Sequence, residues 1–362
     1  MWVKFDKGAT NLASILTGDT LTITRIDLGN NKIGKKGANA IAEALKVNTN
    51  IKVIDLSSNN HIGNRVANAI AEEIEVNTGI PNITLSYNDI GNEGANAIAE
   101  ALKVNTTIKD INLSFNNIGN EGANTISEAL KVNTAITSIN LDHNKIGNEG
   151  ANAIAEALKV NTNIKEIALS SNKIGNEGAN AIAEALKVNT AITNIALHSN
   201  NIGDEGANAI ADAVIPNNTL SYPLLGMGNI GNKGVNAIAE ALKVNTVITS
   251  INLSCNNIGN EGANTIAEAL KVNTAITSIN LDHNKIGNEG ANAIAEALKV
   301  NTNIEEIALS SNKIGNEGAN AEALKVNTAI TNITLSYNNF GDEGVYAIKI
   351  NRAITIEVAA DY

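Results

Sequence analysis

Between Ile164 and Ala191 the apolar positions follow two periods in succession. Ile164 is followed by Ile167 and Leu169, which alternate with Glu166 and Ala168. A period of two is what a short, half-buried strand requires. Asn172 stands where the chain must turn, and its amide can satisfy backbone groups that the turn leaves unpaired. Ile174-Gly175-Asn176-Glu177-Gly178 then leads into Ala179, Ile182, Ala183 and Leu186. These fall at i, i+3, i+4 and i+7, one face of a helix. Asn176 is predicted as the helix N-cap, with Glu177 at the positive end of the dipole and Lys187 at the negative end. Val188-Asn189-Thr190 leads back to the next strand.

The same phrase recurs twelve times. Its central leucine stands at Leu28, Leu56, Leu85, Leu113, Leu141, Leu169, Leu197, Leu225, Leu253, Leu281, Leu309 and Leu335. Nine of the eleven intervals are 28 residues. One is 29, with an extra residue near Asn60-His61, and one is 26, because Ala319-Asn320-Ala321-Glu322 lacks an Ile-Ala pair. A unit this small buries its apolar face only against its neighbours, so the pattern predicts an α/β solenoid with a parallel sheet, helices, and a ladder of stacked asparagines. Helices are about 10 Å across and strands about 4.8 Å apart, which places the sheet on the concave side of a right-handed curve and the helices on the convex side. The expected organisation is a single domain over residues 1–362. Residues 1–20 would cap it through Leu12, Ile15 and Leu16, residues 21–350 would form the repeats, and 351–362 would close it with the strand Ile354–Val358. The Ile-Ala deletion should shorten the helix around Ala321–Leu324.

Composition narrows the chemistry. Aromatics are 2% of residues and there are three prolines, so the core must be aliphatic. One cysteine, Cys255, excludes an intramolecular disulfide and fits a reducing compartment. The start, Met1-Trp2-Val3-Lys4-Phe5-Asp6, lacks the long apolar run of a cleaved export signal, and no stretch approaches membrane-spanning length. The expected location is the cytoplasm, or a host cytosol after secretion, without membrane insertion. A net charge of -11 argues against nucleic acid as a partner. His143 and His283 are five repeats apart, and no Cys/His group has zinc spacing. Gly-x-x-Gly segments such as Gly147-Asn148-Glu149-Gly150 recur in nearly every repeat, as turns into helices do and phosphate loops do not. The sequence therefore predicts no catalytic residue, no cofactor and no metal site.

The strand motif, the asparagine and a G-x-x-x-[I/L]-A-x-x-L helix together resemble leucine-rich repeats of the ribonuclease-inhibitor type, over residues 21–350. The resemblance implies protein binding on the concave face. That family includes enzyme inhibitors, sensors of innate immunity, a GTPase-activating protein for Ran, and effectors that intracellular bacteria deliver into host cells. The repeats fill the sequence and leave no stretch for an appended ubiquitin-ligase domain. The richness in Asn, Ile and Lys suggests an AT-rich genome. With the resemblance, this favours a non-enzymatic secreted bacterial effector acting on a host protein. The alternatives are a regulator of a small GTPase, for which no specific polar residue stands out, and a self-associating structural protein.

Variation within the repeats marks the candidate surface. The two residues between the central leucine and the ladder asparagine include Tyr87, Phe115, Asp142-His143, His198, Met227, Cys255, Asp282-His283 and Tyr337. Core packing does not require aromatics there, and exposed aromatics anchor interfaces. Tyr87, Phe115, His143, Met227 and Tyr337 are therefore the candidate anchors. Among the acidic residues Asp27, Asp55, Asp110, Asp142, Glu166, Asp282 and Glu306, only Arg25 is basic at the same positions. Asp110, Asp142 and Glu166 are expected to orient a protein partner with a basic surface. Residues 111–181 and 251–321 differ only at Phe115/Cys255, Ser127/Ala267 and Lys165/Glu305, as a duplicated segment would. Repeat eight carries Pro223 in place of the inward Ile and Gly228 in place of the ladder Asn, which predicts a disturbed sheet and ladder there.

Overall fold

The computed structural model describes residues 23–59, 63–318, 327–342 and 355–357, with Ala9, Asn11 and Ser14. The chain divides into two compact units, Met1–Lys173 and Ile174–Tyr362. The first unit alternates β1 (Arg25–Asp27), α1 (Lys35–Val47), β2 (Val53–Asp55), α2 (Gly63–Val76), β3 (Asn82–Thr84), α3 (Asn92–Val104), β4 (Asp110–Asn112), α4 (Asn120–Val132), β5 (Ser138–Asn140), α5 (Asn148–Val160) and β6 (Glu166–Ala168). Each strand pairs in parallel with the next in sequence. The second unit runs α6 (Asn176–Val188), β7 (Asn194–Ala196), α7 (Gly203–Val214), β8 (Tyr222–Leu224), α8 (Asn232–Val244), β9 (Ser250–Asn252), α9 (Asn260–Val272), β10 (Ser278–Asn280), α10 (Asn288–Leu298), β11 (Glu306–Ala308), β12 (Asn332–Thr334) and β13 (Thr355–Glu357). Its strands are also parallel and in sequence order. A 3-10 turn at Asn316–Gly318 follows β11. The expected cap residues Leu12, Ile15 and Leu16, and the helix expected around Ala321–Leu324, lie outside the described residues.

The apolar periods place the core. In the repeat built on β4 and α4, Ile108, Ile111, Leu113, Ile118, Ala123, Ile126 and Leu130 are all buried. Gly122 keeps α4 close to its neighbour, since a Cβ there would sit 2.9 Å from Ile118 Cγ2 and 3.1 Å from Ala95 Cβ. Polar side chains stitch one repeat to the next. Asn116 Nδ2 donates to the carbonyls of Leu85, Leu113 and Ser114, and its Oδ1 accepts from the N–H groups of Asn88 and Ile90. This is the predicted ladder.

Two other asparagine columns escape the sequence reading. The expected N-cap asparagine is the first residue of its own helix, and the cap position belongs to the preceding glycine, Gly175 in α6, with no side-chain capping bond. The asparagine caps the following helix instead: Asn92 Oδ1 accepts from the N–H of Gly119 at 2.8 Å and of Gly122 at 3.2 Å. The return asparagine forms the third column. Asn133 Nδ2 donates to the carbonyls of Leu102 and Asn105, and its Oδ1 accepts from Ala135 and Ile136 N–H. Orphan groups at both ends of a helix thus find partners in an adjacent repeat.

Repeat eight is disturbed as expected, and on one side. β8 keeps three register pairs with β7, whereas with β9 only Leu224↔Asn252 remains. The cause is proline geometry. Leu225 N–H donates to Asn252 O on the β9 side, and backbone groups two residues apart face the same neighbour in a parallel sheet. The N–H that Pro223 lacks is therefore one that β9 would receive. At Gly228 the ladder loses an amide. Gly203 adopts φ 63° and donates its N–H to the Gly228 carbonyl at 2.8 Å. Pro223→Ile should restore a strand hydrogen bond in a buried site and raise stability by about 1 kcal/mol, read from urea unfolding.

A second departure lies in α2. Glu73 occupies the place that Ala101 and Ala129 hold in regular repeats and is 3% exposed. Its Oε1 is 2.9 Å from Lys46 Nζ, while Oε2 has no hydrogen-bond partner. Burial pushes the Glu73 carboxyl above its ordinary range, and the Lys46 ammonium opposes this incompletely. A raised pKa means that the folded state holds the proton more tightly than the unfolded chain. The favourable contribution is complete below the ordinary carboxylate pKa and is lost as pH rises through the folded value. Glu73→Ala is expected to be more stable than the native chain at pH 7 by about 1 kcal/mol, since Lys46 keeps Glu43 as a partner. The gain should shrink toward pH 4. Urea midpoints at the two pH values measure it.

Candidate protein-binding surface

Each strand from β1 to β12 is three residues long with its middle residue buried, so its first residue, and in most strands its third, opens onto the sheet face. In the first unit Asp110 and Glu166 are exposed at the first position of β4 and β6. A shallow depression of about 230 Å³ crosses β3, β4 and β5, lined by Asn82, Thr84, Asp110, Asn112, Ser138 and Asn140. Asp110 is the only ionisable residue lining it. Lys109 and Lys165 are also exposed, immediately before Asp110 and Glu166. The acidic character of this face is thus offset on the two strands that carry these acids.

The variable pair does not lie on the strands. It falls in the turn beyond them, because each strand ends before the central leucine. The third strand residue shapes that turn: Asn112 Oδ1 accepts from Ser114 N–H, and Asn140 Oδ1 from Asp142 N–H. The first member of the pair points inward. Ser114 is buried, and Asp142 is half-buried with its Oδ1 accepting from Ser170 N–H at 2.5 Å. Asp142 is therefore engaged within the protein rather than standing as a free charge. Its counterpart Asp282 accepts from Ser310 N–H at 2.6 Å, and burial raises its carboxyl pKa against that bond.

The second member is outward and left-handed. Ser58, Tyr87, Phe115, His143, Ser171, Ser199, Met227, Cys255, His283, Ser311 and Tyr337 all have φ between 51° and 57°. A β-branched side chain is a severe outlier in that region, and no Val, Ile or Thr occupies the slot in a chain rich in all three. Consecutive slots are tied in register by the backbone. Tyr87 N–H donates to Ser114 O, Phe115 N–H to Asp142 O, and His143 N–H to Ser170 O. The three rings consequently stack. Tyr87 and Phe115 have centroids 3.9 Å apart, and Phe115 and His143 3.8 Å apart, each pair inclined by 12°. Tyr87 is 45% exposed, Phe115 half-buried and His143 exposed.

Of the eight predicted site residues, Tyr87, Phe115 and His143 come together as one ridge, on the same three repeats as the depression around Asp110. Glu166 stands on β6. Met227 and Tyr337 occupy the same kind of slot in the second unit, 52% and 60% exposed, with three slots between them. Helix ends carry a different exposed column, which the sequence reading did not single out: Val76, Val104, Val132 and Val160 in the first unit. Among the described residues no helix is long and apolar enough to cross a membrane.

The chain belongs to the leucine-rich repeat family. The pattern described as Leucine Rich repeat matches residues 21–42, 47–71, 83–99, 104–127, 132–155, 160–183, 188–211, 244–267, 272–295, 300–321 and 326–349. Repeat eight, with Pro223 and Gly228, falls in the gap between the seventh and eighth matches. No curated protein matches the chain. Among solved structures it is similar to an internalin, InlF, from Listeria monocytogenes, with 16% identity and a TM-score of 0.60 over 99% of this chain and 95% of that one. It is similar also to a chain of the Rad7 and Elc1 complex in yeast, with 11% identity and a TM-score of 0.59 over 97% and 87%. The actin-binding site 2 of leiomodin-1 is 30% identical over 35% of this chain and 76% of that one, with a TM-score of 0.33. The first two likenesses concern the fold.

Proposed function

We propose that this protein is a non-enzymatic scaffold that binds a protein partner through the sheet side of its first unit. Tyr87, Phe115 and His143 serve as apolar anchors, and Asp110 receives a basic side chain of the partner in the adjacent depression. The observation that carries this reading is the ring stack. Aromatics are 2% of the chain, the core is filled without these three, and their turn holds them outward. Leucine-rich repeats suggest a protein-binding scaffold, and the alternation of short strand and full helix supports the ribonuclease-inhibitor subtype. The narrower reading, an effector acting on a host protein, rests on the family resemblance and the Asn-, Ile- and Lys-rich composition. Cross-linking through a photoreactive amino acid at position 115, followed by mass spectrometry of the captured protein, tests the surface directly. Labelling of a single partner from that position and none from position 156 on the helix side is the expected outcome. The reverse pattern removes the ridge from consideration.

A further inference from the structure

We propose that the depression beside the ring ridge selects an arginine of the partner over a lysine, with Asp110 as its counter-ion. The inference rests on the reading of this face given above and names the side chain that Asp110 receives. The first residues of β3, β4 and β5 are Asn82, Asp110 and Ser138, paired in register, and the third residues are Thr84, Asn112 and Asn140, also in register. Side chains two apart on a strand share a face. These six therefore form two rows, with neighbours about 4.8 Å apart along a row and the rows about 6.6 Å apart. All six line the one depression.

Asp110 sits in the middle of the first row and is exposed. Among the described residues no ion pair or hydrogen bond engages its carboxylate, and Lys109 is not paired with it. The Ser138 hydroxyl and the Asn82 amide flank it, and both can accept. A guanidinium lays two N–H groups on a carboxylate and has three more to turn toward such neighbours. An ammonium is a point donor and cannot span the row. The second row supplies donors. A backbone N–H only donates, so the amide atoms that meet Ser114 and Asp142 N–H are the Oδ1 of Asn112 and Asn140, each at 2.9 Å. Their Nδ2 groups therefore face away from the turn, and no bond among the described residues takes them up. They suit the main-chain carbonyls on either side of an arginine. The ridge offers the cation no competing seat at its centre. Tyr87 and His143 cover the two faces of Phe115 at 3.9 and 3.8 Å, and ring edges are electropositive. In the second unit the amide pair recurs as Asn252 and Asn280, each Oδ1 held at 2.9 Å, but Ser250 stands where Asp110 does.

The test selects a random-peptide phage library on the purified full chain and measures the tightest selected peptide by fluorescence anisotropy. That peptide is expected to contain arginine. Exchanging its arginine for lysine, or Asp110→Asn in the protein, should each weaken binding by about tenfold or more. The two changes together should cost little more than either alone, as a single shared contact requires. Glu156→Gln removes the same charge from the helix side and should leave binding unchanged. Circular dichroism confirms that each variant is folded. A lysine version that binds equally well would overturn the proposal. So would an affinity unaltered by Asp110→Asn, or the failure to select any peptide. Tyr87→Ala with Phe115→Ala separates this inference from the reading it rests on. Binding that needs the rings but does not distinguish arginine from lysine sinks the inference and leaves the ridge standing. An arginine preference that persists without any effect of the rings supports the inference and removes the ridge.

Discussion

Asn116→Ala is expected to destabilise the first unit by about 3 kcal/mol or more. The side chain makes five hydrogen bonds, three to carbonyls and two from backbone N–H groups, and it is buried. Alanine leaves the Asn88 and Ile90 N–H groups and the Leu85 carbonyl without the amide, whereas the Leu113 carbonyl keeps Asn144 Nδ2 and the Ser114 carbonyl keeps the Tyr87 N–H. Each orphaned group costs about 1–3 kcal/mol, although relaxation and entering water recover part of that. Asn88 and Ile90 belong to the preceding repeat, so the loss falls on the interface between repeats. In a solenoid that interface carries the cooperativity. Asn117→Ala is the control. Its Nδ2 makes an exposed 3.3 Å contact with Asp89, and its loss should stay within about 0.5 kcal/mol. Hydrogen exchange locates the damage: protection should fall first in β3 and β4. The native chain already contains one rung without its amide. The left-handed Gly203 donates its N–H to the Gly228 carbonyl as the left-handed Gly63 does to that of Asn88, where the amide is kept, so that bond does not stand in for the amide. Equal stability of Asn116→Ala and Asn117→Ala would show that the ladder is decorative.

The regular fold was open to reading because one period repeats twelve times and each copy confirms the others. Spacing alone turns Ile164, Ile167, Leu169, Ile182 and Leu186 inward, and all five are buried. Pro223 was read as an interruption because its missing N–H is a property of the residue and not of its surroundings. What spacing could not convey is where a side chain reaches across repeats. Asn176 has the composition of an N-cap, but cap and recipient belong to different repeats: the Gly206 N–H donates to Asn176 Oδ1 at 3.0 Å. Asn133 stands where Asn189 does, in the return to the next strand, but its partners Leu102 and Asn105 lie 31 and 28 residues back. The site was half legible. Variation singles out the turn slots, and their freedom from β-branched residues is a signal of left-handed backbone. Alternation extended past the strand end makes Asp142 an outward charge, but the strand stops before it and its carboxylate binds Ser170 N–H. The ring stack depends on register between repeats, which no single repeat encodes.

Tyr87→Ala combined with Phe115→Ala should weaken capture of the partner by about 2 kcal/mol or more, roughly 30-fold in Kd. Both rings lie on the ridge, and truncating Phe115 also removes the support that holds His143 in the stack. The stability cost is smaller, about 1 kcal/mol, since the pair contributes stacking and no closed core. Asp110→Asn should act differently, slowing association and reducing its salt dependence while leaving the rings in place. Glu156→Ala combined with Lys159→Ala, an exposed pair on the helix side at 2.6 Å, should leave capture unchanged.

The decisive measurement is therefore the affinity of one cross-linked and identified partner for these two double variants, by surface plasmon resonance, with folding verified by circular dichroism. A Kd raised about 30-fold by Tyr87→Ala with Phe115→Ala, and unaltered by Glu156→Ala with Lys159→Ala, is the expected result. An affinity lost with the helix-side pair and retained with the ring pair would place the binding surface on the helices instead.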